Sequence, residues 1–180
     1  MRYRIPFALC ALLPTAAMAA NLNVSIELPR LDVAEYHRPY VAVWLEREDK
    51  QVAANLAVWY QQKKATPAAG GAPANPQGGV KWLPDLRQWW RRSGRELQLP
   101  VDGVTGATRA PGEQILSFDS SSLALANLPA GQYKLVVETA REEGGRELIE
   151  VPFQWPVKQA QQLKAKGTSE LGAIVLDVKP

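Results

Sequence analysis

The segment from Val101 to Gly112 reads VDGVTGATRAPG and sets two threonine hydroxyls, Thr105 and Thr108, among glycines and other small residues. Between the apolar stretches ELQLP and ILSF, such a composition marks a turn. A hydroxyl on an accessible turn is also a nucleophile that another enzyme can modify, so the segment reads either as a plain loop or as an acceptor. Other residues that could do chemistry are few. His37, in EYHRPY, is the sole histidine, and the sequence shows no partners for a metal site or a Ser/His nucleophile, which favours a structural use. Arg87, Arg91, Arg92 and Arg95 form one basic cluster, readable as a solvated helix face or as a phosphate contact. The fingerprints of serine hydrolases, zinc peptidases, phosphate-binding loops and dinucleotide folds do not occur.

The first twenty residues differ in kind from the rest. Arg2 and Arg4 precede the apolar run IPFALCALL and the small-residue end AAMAA, the three regions of a secretory signal peptide with cleavage near Ala19 and Ala20. Residues 1–20 are therefore expected to be removed and 21–180 to form one exported domain. Cys10 is the only cysteine and falls in that leader, so the mature chain would hold no thiol, disulfide or thiolate metal site. Any redox work then requires a bound cofactor. Cleavage removes two of the 21 bases and none of the 18 acids, which brings the net charge to about +1 and argues against nucleic-acid binding. No later stretch is apolar enough to span a membrane after cleavage.

Seven short segments carry the signature of strands. NLNVSIEL alternates Leu22, Val24, Ile26 and Leu28 on one face, and further strands are expected at 40–46, 53–61, 114–118, 132–140, 147–155 and 172–178. Their spacing and turn residues predict an all-β, immunoglobulin-like antiparallel sandwich. Pro152 restricts its strand to an edge or a bulge. Gly144 and Gly145 are expected to supply positive φ in a hairpin. Residues 65–79 are nearly all Ala, Gly and Pro and read as a low-complexity surface loop. Residues 83–93 read as one short helix, with Pro84 in its first turn and Leu83, Leu86 and Trp90 on its apolar face. Trp44, Trp59 and Trp155 lie in strands and are expected in the core, whereas the adjacent Trp89 and Trp90 cannot both face inward.

The residues Asp102-Gly103-Val104-Thr105-Gly106-Ala107-Thr108 match the pattern D-x-x-[S/T]-G-A-T. This resembles the acceptor motif of proteins flavinylated by FAD:protein FMN transferase, found in subunits of sodium-translocating quinone reductases and related electron-transfer complexes. The resemblance implies that Thr108 receives FMN through a phosphoester bond. Thr105 would shape the loop, Gly106 and Ala107 would lower the bulk beside the acceptor, and Asp102 would hold the turn by an Asx-type hydrogen bond. Trp90 and Arg91 are candidates to stack on the flavin and pair with its phosphate. The segments YHRPYVAVWLE and KWLPDLRQWWR are similar to an uncharacterised family of predicted periplasmic proteins with no assigned activity. Together these resemblances imply a periplasmic electron-transfer flavoprotein, more a redox carrier than a catalyst with its own substrate. Its partners would be the transferase and a membrane-bound electron donor or acceptor. The alternative is a cofactor-free, immunoglobulin-like binding or interaction module.

Overall fold

The alternation of the first strand is realised without exception: in β1 (Asn21–Leu28), Leu22, Val24, Ile26 and Leu28 are buried and each intervening residue is not. The computed structural model describes residues 20–62 and 78–180. The expected leader lies outside the described residues except for Ala20, and so does the 65–79 stretch except for Gly78 and Gly79.

β1 pairs with β5 (Gly112–Asp119) on one side and β9 (Ala173–Lys179) on the other, and β8 (Gln161–Lys166) completes a four-stranded antiparallel sheet ordered β5-β1-β9-β8. The second sheet contains β2 (Tyr40–Arg47), β3 (Val52–Tyr60), β4 (Thr105–Ala107), β6 (Gly131–Ala140) and β7 (Arg146–Trp155), in the order β4-β3-β2-β6-β7. Its pairings are antiparallel except for β4, which runs parallel to β3. Pro152 lies on β7, an edge strand, the place in a sheet where proline is tolerated. The two sheets face one another across a common core that includes Leu22 and Ile26 from one and Val43, Leu135 and Trp155 from the other. This is the all-β sandwich expected from the sequence. Tyr133, near the start of β6, donates its hydroxyl to the Pro129 carbonyl at 2.8 Å, the corner contact characteristic of immunoglobulin-like sandwiches.

The second sheet is covered on its outer face as well. Leu83, Leu86 and Trp89 pack there against Ala42, Trp44, Val58 and Val136, which is why β2 is apolar almost throughout. The segment that supplies them departs from the expected helix. A 3-10 turn over Val80–Asp85 precedes α1 (Arg87–Arg92), and a second 3-10 turn follows over Gly94–Glu96. The two helical pieces part at Leu86, whose ψ of 71° leaves the helical region. Glu138 of β6 reaches across to the start of α1 and accepts the Gln88 N–H at 3.0 Å and the Trp89 N–H at 2.8 Å. A carboxylate from the sheet thus satisfies N–H groups that the preceding turn leaves open. The buried ring is Trp89, not Trp90; its indole N–H donates to Asn55 at 2.8 Å.

In the β6–β7 hairpin the positive φ falls on Glu143, at 52°, rather than on Gly144 or Gly145. The turn closes by a bond from the Arg141 N–H to the Gly145 carbonyl.

Candidate functional site

The 102–108 segment ends as strand β4. Thr105, Gly106 and Ala107 pair with Val58, Trp59 and Tyr60 of β3. A Cβ on Gly106 would stand 3.0 Å from the Trp59 ring, so a side chain there would press on the buried indole and glycine relieves that contact. Gln62 clamps the same place by donating its side-chain N–H to the Gly106 carbonyl at 3.0 Å and the Tyr60 carbonyl at 3.2 Å. Arg109 lies over the Trp59 ring at 5.1 Å.

The two threonines differ in use. Thr105 Oγ1 accepts the Val101 N–H at 2.9 Å, and its own N–H donates to the Val101 carbonyl at 2.9 Å, so this residue holds the turn. The Asx-type bond expected of Asp102 is not made: that carboxylate is exposed and takes no hydrogen bond among the described residues. Thr105 already satisfies the turn from inside, which leaves Asp102 free toward solvent. Ala107 is exposed and Thr108 half-buried. The Thr108 hydroxyl makes no hydrogen bond to a described residue.

Thr108 opens on a pocket of about 550 Å³. Tyr40 and Ala140 reach it from the paired ends of β2 and β6, and Gln61 from just beyond β3. Trp82, on the 3-10 turn over the outer face, forms another wall, with His37 and Arg38 from the chain entering β2. Asp85, Glu142 and Glu143 contribute negative charge. Arg38 is exposed and forms no ion pair among the described residues. Burial pushes the Tyr40 phenol up, against a smaller opposing effect of the Gln61 backbone, so its hydroxyl stays neutral well above physiological pH.

His37 has more company than the sequence disclosed. Its Nε2 stands 3.4 Å from a Glu35 carboxylate oxygen and its Nδ1 3.7 Å from Glu142. Glu35, His37 and Glu143 bring one ligand-capable atom each within 4.8 Å of one another. These residues come from two loops far apart in sequence, so no spacing rule would have grouped them. Behind them Arg141 forms a two-pronged pair with Glu170, at 2.9 and 3.0 Å, that is almost wholly buried.

Trp90 and Arg91 do not reach this pocket. They line a separate depression of about 520 Å³ with Arg87, Glu138 and Arg146. Trp82, and not Trp90, lines the pocket that Thr108 also lines. The available signal was modest: Trp82 sits beside Lys81, outside every strand and off the Leu83, Leu86 apolar face.

A family model described as "Predicted periplasmic protein (DUF2271)" matches residues 21–173. The chain belongs to this family. The DUF2271 span takes in every strand but most of β9, and with them the pocket and the whole 102–108 segment. The description makes the chain a periplasmic protein and assigns no activity. No helix among the described residues is long and apolar enough to cross a membrane. No curated protein and no solved structure matches the chain.

Proposed function

We propose that this periplasmic protein carries FMN on Thr108 through a phosphoester bond and serves as an electron carrier. The observation that carries the reading is the acceptor pattern at 102–108, folded so that Thr105 is engaged by the turn while Thr108, whose hydroxyl has no hydrogen-bond partner among the described residues, lines a pocket. An acceptor for another enzyme needs access and low bulk, not an internal base. Gly106 and the exposed Ala107 supply both.

In the attachment step Thr108 Oγ1 attacks the FMN phosphorus of FAD. A P–O bond to Thr108 forms, the bridging bond between the two phosphates breaks, and AMP leaves with the electron pair. The hydroxyl proton passes to a base of the FAD:protein FMN transferase, which also supplies the metal. When bound, the flavin supplies reversible storage of electrons taken from a reduced membrane-bound carrier and handed to an oxidised one. Several of the lining residues suit such a group, although Asp85, Glu142 and Glu143 add negative charge to the same pocket. The pocket has aromatic walls in Tyr40 and Trp82 for a planar ring, and Arg38, which forms no ion pair among the described residues, offers a cation to a phosphate. A covalent bond suits the periplasm, where a dissociated flavin would be lost.

A labelling series tests the reading. The exported chain, produced with an active transferase, is denatured and scanned for flavin fluorescence on a gel. Thr108→Ala is expected to abolish the signal, Thr108→Ser to keep part of it and Thr105→Ala to reduce it. Wild-type labelling in Thr108→Ala would remove Thr108 as the acceptor. An unlabelled wild-type chain would leave the cofactor-free interaction module as the better reading.

A further inference from the structure

We infer that Trp82 is the stacking platform for the flavin ring, and that it sets the ring's fluorescence and reduction potential. This inference rests on the covalent reading above. Of the six tryptophans, Trp44, Trp59, Trp89 and Trp155 are buried and Trp90 is half-buried, whereas Trp82 is 44% exposed. A single exposed apolar residue is ordinary. An exposed indole on the wall of a pocket that Thr108 also lines is a more specific arrangement.

Trp82 is also held in place. Its backbone N–H donates to the Gly79 carbonyl at 3.0 Å, and the Gly79 N–H donates to the Gln61 carbonyl at 2.7 Å, which ties the 3-10 turn to the chain just past β3. Gly79 packs so closely on the Tyr40 ring and Gln61 that any side chain there would collide with both. Lys81 Nζ covers one face of the indole at 4.7 Å from the ring centre, and Lys81 is not among the residues lining the pocket. Trp82 itself lines the pocket, where a planar ligand can meet its ring. Offset stacking of an electron-rich indole on an electron-poor oxidised isoalloxazine is favourable. It weakens when the ring is reduced and no longer flat, so the contact favours the oxidised state.

The test uses the full exported chain labelled by the transferase. Mass spectrometry reports attachment, and native flavin fluorescence per labelled flavin reports stacking, because an indole in contact quenches flavin emission. Trp82→Ala is expected to leave the mass gain in place, raise native fluorescence several-fold and raise the reduction potential. Trp82→Phe should fall between it and wild type. Trp90→Ala, in the separate depression, should change neither reading. Trp82→Ala protein that is labelled, folded by circular dichroism and unchanged in both readouts would overturn the inference. A wild-type chain with no mass gain would overturn the covalent reading and this inference with it.

Discussion

Two regions meet at Arg141 and use their polar groups in opposite ways. On one side lies the corner built on Glu147 and Glu170. The Glu147 carboxylate accepts the backbone N–H groups of Thr168, Ser169, Glu170 and Leu171 as well as the Thr168 hydroxyl. Glu170 in turn accepts from Arg141 and from the Gly145 N–H. On the other side lies the Thr108 pocket, where the Thr108 hydroxyl and the Arg38 guanidinium have no hydrogen-bond or ion-pair partner among the described residues and the Trp82 ring is 44% exposed. Polar groups consumed by the fold serve stability. Groups the fold leaves unused, gathered round one pocket, are available to something outside the chain.

Substitutions can break this contrast, and the largest effect lies within one helical segment. Trp89→Ala empties a fully buried site and should cost about 3–5 kcal/mol in denaturant unfolding. Trp82→Ala, seven residues earlier, should cost less than about 1 kcal/mol. Equal losses would mean that Trp82 is a packing residue like the rest.

Glu147→Gln sharpens the account of the corner. It keeps the shape but removes the charge from several hydrogen bonds, for a loss of about 1–3 kcal/mol. The pH dependence has a definite sign. Burial works to raise the Glu147 carboxyl, but the N–H groups of Thr168, Leu171, Ser169 and Glu170 outweigh it and hold it down to about 2, against 4.5 ordinarily. The folded state therefore binds fewer protons. Its contribution is complete above about pH 4.5 and is lost as pH falls toward 2. Unfolding midpoints of wild type should drop through that window more steeply than those of Glu147→Gln, and parallel curves would contradict the assignment.

The smallest effect separates the two threonines. Thr105→Ala loses the bond from the Val101 N–H and should cost about 0.5–1.5 kcal/mol. Thr108→Ala should stay within about 0.5 kcal/mol of wild type in the unlabelled protein. A larger loss for Thr108 than for Thr105 would reverse their roles.

Strands whose burial alternates or runs unbroken were legible in the sequence. β1 declares itself through Leu22, Val24, Ile26 and Leu28, and β2 through its continuous apolar run. β4 was hidden because Thr-Gly-Ala has no side-chain pattern to read and gains its identity from pairing with β3. β8 was hidden because QQLKAK is mostly exposed, with only Leu163 and Ala165 packed on the core. The helical segment was found but misjudged in phase. Leu86 breaks it, and the Glu138 carboxylate that caps α1 comes from a strand some fifty residues away. The motif residues of the candidate site were legible because they are contiguous. Its walls were not, since Tyr40, Trp82 and Glu142 converge only through the sheet ends and the hairpin.

The most direct test of the central claim is the intact mass of the exported wild-type chain, produced with an active FAD:protein FMN transferase and followed by peptide mapping. The account predicts a gain of one FMN less one water, on the peptide that contains Thr108. An unmodified mass, alongside full labelling of a control substrate in the same cells, would contradict it.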